Sequence, residues 1–246
     1  MKSIVWVLIF LFAGTMVSAL DFRNTAVIET QTRIDQDGRT SVLIEDTFSV
    51  RITPRVTLLA RGNYLLREGT NFSGVGLGGV VVLGRGVYSE LMYMLRHFGE
   101  DEFMHRIYSD VTYESAAWLG NFSATMFISS DSWSLSLSPT LRVFRDRGDQ
   151  IQLRYIQGIA PESEELLSHF GLAQYTFPAG AFQVTLSGGG GSVFDEEDDL
   201  MHEWVLQGEL GWNMSEVSRL SYGISYNSST DGMRLLSNRL IFSTRW

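Results

Sequence analysis

The 246 residues contain no cysteine, which excludes disulfides, thiol nucleophiles, thiolate metal sites and a lipidated cysteine near the N-terminus. A basic excess is also missing. Lysine and arginine number 19 against 28 acidic residues, giving a formal net charge of -9 and a pI near 4.9. No nucleic-acid partner is expected, because that needs a basic patch. Long apolar runs are absent too, with one exception at the start. "MKSIVWVLIFLFAGTMVSALDF" sets Lys2 ahead of an apolar run from Ile4 to Phe12 and then small residues at Val17, Ser18 and Ala19. The run is shorter than the roughly 20 residues of a spanning helix. Its layout predicts a secretory signal over 1–19, cleaved after Ala19. No linker divides the remainder, 20–246, so a single unit is expected that is either soluble or crosses a membrane without helices.

What is present, from end to end, is alternation with a period of two, the signature of β-strands. In "WSLSLSPTLRVF" the residues Trp133, Leu135, Leu137, Leu141 and Val143 share one face and Ser134, Ser136, Ser138, Thr140 and Arg142 the other. "QIQLRYI", "EWVLQGELGWNM" and "RLSYGISY" repeat the pattern. Each strand therefore has one apolar and one polar face. The pattern predicts strands at 22–34, 39–52, 55–66, 73–83, 86–98, 105–119, 121–129, 132–144, 149–159, 169–177, 180–190, 201–214, 217–227 and 233–246. That makes fourteen, with twelve as the fallback, the first strand and the pair after Gly120 being the least distinct.

The connections sort into two kinds. Short joints, "TPR" (53–55), "GRG" (84–86), "GN" (120–121), "RDRGD" (145–149), "FPAG" (177–180) and "SEV" (215–217), interleave with mostly longer, acidic ones such as "REGTNFSG", "FGEDEFMH", "APESEELLSHF" and "VFDEEDDLMH". An antiparallel up-and-down sheet places every second connection at the same end, so short turns gather at one rim and long loops at the other. The segments are mostly 9 to 14 residues, about what a tilted strand needs to cross a bilayer. Trp212 and Trp246 fall at the short-turn end of the apolar faces, and Trp133 and Trp204 at the long-loop end. Indole rings favour the headgroup boundary, so two such belts predict a transmembrane all-β barrel of antiparallel up-and-down strands, with the apolar face toward lipid.

The last residues, "LSNRLIFSTRW", put Leu236, Leu240, Phe242 and Trp246 on one face and end on an aromatic side chain. In this the sequence resembles bacterial outer-membrane barrels, whose closing strand commonly ends in an aromatic residue. That resemblance implies location in the outer membrane, contact with its lipid, a terminal signal formed by Leu240, Phe242 and Trp246 that the barrel-insertion machinery reads, and short turns on the periplasmic side. "QIQLRYIQGIAPESEEL", with Tyr155, Gly158, Pro161 and Glu162, and "SWSLSLSPTLRVF" look like the corresponding strands of the YaiO-like outer-membrane barrels.

The polar faces carry Arg51, Arg61, Arg142, Arg154, Arg239 and Arg245 alongside Glu29, Glu45, Glu90, Asp110, Glu114, Glu203 and Glu209. Facing a water-filled lumen, they either set up a field that biases which solutes pass or pair across the barrel and knit it shut. A fourteen-strand interior exceeds what side chains alone fill, so the expected task is a porin-like passage for small polar solutes in a monomeric barrel. The alternative is a closed barrel that binds partners through its acidic loops. Those loops, "GEDE" (99–102), "ESEE" (162–165) and "DEEDD" (195–199), lack EF-hand order and read as solvated surface rather than a calcium site. His97, His105, His169 and His202 fall at the long-loop rim, where His202 near Asp198 and Asp199 is the one candidate for hydrolytic chemistry. No serine nucleophile motif accompanies it. The glycine runs "GVGLGGVVVLGRG" and "SGGGGS" lack the lysine and helix of a phosphate loop, and are expected to let strands bend or to admit a large lumenal neighbour. Neither cofactor nor metal is expected.

Overall fold

The computed structural model describes residues 21–33, 40–67, 71–98, 102–130, 132–145, 148–159, 167–194, 200–230 and 232–245. The expected signal peptide and Trp246 lie outside them. Alternating sequences build fourteen strands: β1 (Asp21–Arg33), β2 (Thr40–Thr53), β3 (Val56–Arg67), β4 (Phe72–Gly84), β5 (Val87–Phe98), β6 (Glu102–Glu114), β7 (Trp118–Ile128), β8 (Trp133–Phe144), β9 (Gln150–Ile159), β10 (Leu167–Ala179), β11 (Phe182–Phe194), β12 (Leu200–Asn213), β13 (Ser218–Ser229) and β14 (Arg234–Arg245). Each pairs antiparallel with its chain neighbours, and β14 closes on β1, where Ile28 stands opposite Leu240. The expected up-and-down barrel of fourteen strands is the fold observed.

Directly opposed residues in an antiparallel ladder point to the same side, so the register carries one face around the whole ring. Trp204 opposes Ser228, Leu206 opposes Tyr226, Leu210 opposes Tyr222, and Tyr222 opposes Leu240. This face holds the large apolar side chains and lies open to the surroundings: Leu77 is 72% and Trp204 56% exposed. The opposite face points into the barrel and carries most of the buried polar side chains, among them Asn63, Thr112, Ser123 and Ser138. A water-soluble barrel would have the reverse arrangement.

The connection expected at Gly120 and Asn121 is corrected. Both residues lie inside β7, opposite Tyr113 and Thr112 of β6. The chain turns instead at 115–117. There the Ser115 Oγ accepts from the Trp118 amide at 3.1 Å, and the Ser115 amide donates to the Trp118 carbonyl at 2.9 Å. A serine hydroxyl supplies the turn in place of the glycine. Trp118 thereby opens β7 and joins the short-turn aromatic belt, its ring 5.0 Å from Tyr113. An added Cβ on the outward Gly120 would come within 2.9 Å of that indole, so the glycine makes room for it.

Strands also run further toward the long-loop rim than expected. β6 begins at Glu102 and β10 at Leu167, which shortens the connections on that side. On the short-turn rim Gly86 and Gly180 adopt φ of 72° and 66°, the left-handed region that two-residue hairpins require and that glycine enters without steric cost.

One charged residue interrupts the outward face in mid-strand. Asp46 opposes Ala26 on β1 and Gly62 on β3, and its carboxylate is hydrogen-bonded to Asn24. An acidic side chain on a lipid-facing wall is destabilising. Asp46→Leu is therefore expected to raise the unfolding free energy by about 1 kcal/mol, read as a higher midpoint in urea unfolding from lipid vesicles. A lower midpoint would show that the Asp46–Asn24 pair holds β1 to β2.

Candidate functional site: the barrel lumen

The register brings Arg51, Arg61, Arg142, Arg154, Arg239, Glu90, Asp110, Glu114 and Glu209 to the inward face. They do not gather into one cluster. On one wall Arg142 donates through Nε and Nη2 to the Gln152 Oε1 at 2.9 and 2.6 Å, and Arg154 Nε donates to the Ser138 Oγ at 2.7 Å. Elsewhere arginine and glutamate stand near the limit of ion-pair distance: Arg61 to Glu45 at 3.7 Å, Arg219 to Glu209 at 3.8 Å and Arg239 to Glu29 at 4.0 Å. Pairs this long and this hydrated contribute little stability. Glu114 and Arg51 are exposed near the short-turn rim.

The wall from β3 to β6 is the most ordered part of the lumen. Inward positions of β4 are Gly74, Gly76 and Gly78, facing Arg96, Met94 and Met92 of β5. Glycine here makes space. A Cβ on Gly76 would come within 2.5 Å of the Met94 Cγ, and one on Gly78 within 2.8 Å of the Met92 backbone. Met92 and Met94, each 1% exposed, fold over this glycine track and are the largest fully buried side chains among the described residues.

Charge is layered along that wall. Arg96 lies toward the long-loop end, and Arg61 and Arg106 stand in the row of Met94, Arg106 directly opposite it and Arg61 across Gly76. Arg96 packs its guanidinium over the Phe72 ring at 5.4 Å and Arg106 over Phe127 at 5.5 Å, a cation–π contact that leaves the charge intact. These three arginines act electrostatically on one another, with Glu45 the carboxylate nearby. Below the methionines lie Glu90 and Asp110, directly opposed across β5 and β6. Asp110 accepts from the Glu90 amide at 3.1 Å and from the Tyr108 hydroxyl at 2.8 Å. Along this wall, from the long-loop end, positive charge at Arg96 and then at Arg61 and Arg106 beside Met94 gives way to Met92 and Tyr108, and then to negative charge at Glu90 and Asp110.

Sequence reasoning missed Arg96, Arg106, Tyr108 and the two methionines. In "VYSELMYMLRHF" both faces are apolar from Leu91 to Leu95, so alternation gives no phase. The signal that finds them is parity with the acids: Arg96 falls six residues after Glu90 and Arg106 four before Asp110, each on the same face in an even-period strand.

Trp133, Trp204 and Trp212 stand on the outward face, at the long-loop, long-loop and short-turn ends of their strands, and Trp212 packs against Phe182 at 6.5 Å. Leu240 and Phe242 share that face on β14. The acidic runs fall outside the described residues apart from Glu102. Asp198 and Asp199 are outside them too, and His202 Nδ1 lies 3.0 Å from the Ser192 Oγ on the outward side, away from the lumen.

No family model matches the chain, and no curated protein matches it, so the likeness to YaiO-like barrels rests on the residues of β8 and β9 alone. Solved structures do match. A loop-deletion mutant of OmpT, an outer membrane protein of Vibrio cholerae, is 8% identical with a TM-score of 0.55, covering 93% of this chain and 99% of that one. OccK3 (OpdO) of Pseudomonas aeruginosa is 10% identical with a TM-score of 0.52, covering 97% and 99%. OprD of the same organism is 8% identical with a TM-score of 0.50, covering 94% and 96%. At such identity the likeness establishes the fold, and the chain is built on the β-barrel architecture of outer-membrane proteins.

Proposed function

We infer that the protein is an exported outer-membrane channel through which small polar solutes diffuse, with the lumenal charges setting which ions pass. The observation that carries this reading is the inverted polarity of the barrel. Apolar side chains face out between two aromatic belts, while arginines, carboxylates and hydroxyls line the inside. Fourteen strands enclose more volume than side chains on one layer fill. Resident lipid on the outside, insertion by the barrel-assembly machinery through Leu240, Phe242 and Trp246, and removal of residues 1–19 belong to the same reading.

Purified protein added to a planar bilayer is expected to give discrete conductance steps. Arg142→Glu combined with Arg154→Glu is expected to move the reversal potential in a salt gradient toward cations; an unchanged potential would remove those two residues from the selective surface. The burial of Met92 and Met94 inside the barrel favours a second reading, a closed scaffold whose β3–β6 wall fills its interior. Persistent electrical silence from correctly folded protein would support the scaffold and overturn the channel.

A further inference from the structure

Every histidine of the chain, His97 on β5, His105 on β6, His169 on β10 and His202 on β12, stands on the outward face near the long-loop end of its strand. The chain has no lysine besides Lys2. The described arginine side chains of the strands face the lumen, except Arg234 at the start of β14. Histidine and Arg234 thus supply the nitrogen donors of this outer ring among the described side chains.

Two of the four share one construction. Tyr93 reaches from β5 to His105 on β6, its hydroxyl 2.6 Å from Nδ1, with ring centroids 5.9 Å apart. Tyr155 reaches from β9 to His169 on β10 in the same way, hydroxyl to Nδ1, with centroids 6.0 Å apart. In both, the tyrosine precedes the histidine's cross-strand neighbour, Leu95 or Gln157, by two residues and lies on the membrane side. A phenol donating to Nδ1 places the imidazole proton on Nε2, which has no hydrogen-bond partner among the described residues. His202 is held through Nδ1 by Ser192, and His97 packs against Phe103 at 5.0 Å.

Depth identifies the partner. Trp204 lies two residues below His202, and Tyr93 and Tyr155 lie below their histidines. The imidazoles of His105, His169 and His202 therefore stand two residues, about 6–7 Å of strand length, beyond these rings, and His97 lies two residues further along than the level of His105. Aromatic belts sit at the headgroup boundary, and the next layer outward is that of lipid phosphates. We propose that His97, His105, His169 and His202 form a ring of binding sites for the phosphate groups of membrane lipids at the long-loop rim, with Tyr93 and Tyr155 as positioning residues. The proposal rests on the membrane-spanning reading above. Nε2–H donates to a phosphate oxygen.

The titratable groups around the ring leave it to the phosphate. His105 faces Tyr93 and His97 across β5 and only Met126 and Ile128 across β7. His169 faces Tyr155 on β9 and Ser192 on β11, and His202 faces Ser192 on β11 and Ser228 on β13. No carboxylate among the described residues points to this side at that level.

The test compares retention of phosphatidic acid and phosphatidylcholine of matched chain length by native mass spectrometry of the detergent-purified full chain. Barrel folding is checked separately by heat-modifiable mobility in gels. Wild-type protein is expected to prefer phosphatidic acid about fivefold. Inorganic phosphate at equal concentration is expected not to displace it. The variant carrying His97→Gln, His105→Gln, His169→Gln and His202→Gln is expected to lose the preference. Tyr93→Phe with Tyr155→Phe keeps both rings and is expected to lower it about twofold; this pair decides the matter if the fourfold variant does not fold. Undiminished preference in either folded variant, or displacement by free phosphate, overturns the proposal. A chain soluble without detergent would instead overturn the membrane reading itself, a failure the folding check reports independently.

Discussion

Gly189→Ala combined with Gly191→Ala is expected to prevent most of the protein from assembling as a barrel. Both residues are inward positions of β11, and a Cβ on either would overlap backbone of β10: the His169 carbonyl for Gly191 and the Gly171 carbonyl for Gly189. These obstacles are main chain in a hydrogen-bonded ladder, so they cannot rotate aside as a flexible side chain would. Overpacking of this kind costs about 1–3 kcal/mol per site, a large share of the roughly 5–15 kcal/mol that holds a native protein together. The fraction of heat-modifiable protein after refolding into vesicles measures the loss. Gly62→Ala is the control. It faces outward with nothing within 4 Å of the added carbon and is expected to refold like wild type.

Arg96→Glu combined with Arg106→Glu is expected to produce the largest change in ion preference of any lumenal pair. The two guanidiniums rest on Phe72 and Phe127, with Glu45 the carboxylate nearby and no ion pair within 4 Å among the described residues, so most of their charge reaches the lumen. A unit charge acting over 7 Å of water amounts to about 0.6 kcal/mol, and reversing two cations alters the wall by four units. Screening at about 0.1 M salt reduces this, leaving about a tenfold shift of the permeability ratio toward cations. The corresponding exchange at Arg142 and Arg154 is expected to do less, because Gln152 and Ser138 hold those guanidiniums against the wall. Equal reversal potentials for wild type and the Arg96, Arg106 variant would place the conducting path away from β5 and β6.

The fold was legible wherever one face was polar. β8, with serines against leucines and a tryptophan, and β12, with glutamates against Trp204 and Trp212, announce strand, phase and orientation together. β5 does not, because methionines inside match leucines and a tyrosine outside. Polarity stops reporting direction there, and only parity with Glu90 recovers it. The turn at 115–117 was hidden because a serine hydroxyl performs what glycine usually does, while Gly120 serves an indole instead of a turn. The glycines of β4 and β11 were visible as a composition, but their two uses were not. One set admits Met92 and Met94; the other lets two backbones approach closely. Both depend on the cross-strand partner, which register supplies and composition does not. Asp46 was overlooked for a related reason: a lone carboxylate in an alternating strand reads as a wet-face residue until pairing with Ala26 and Gly62 shows which way it points.

The absence of cysteine makes the central claim, lipid outside and water inside, directly measurable by single spin labels. Leu206→Cys and Gln207→Cys are labelled separately in the vesicle-inserted protein, and collision with oxygen is compared with collision with a water-soluble nickel chelate. Position 206 is expected to favour oxygen, as an acyl-chain environment does, and position 207 the chelate. Chelate access at 206 with exclusion at 207 would mean the apolar side chains pack inward, and the account of this barrel as a membrane channel would be contradicted.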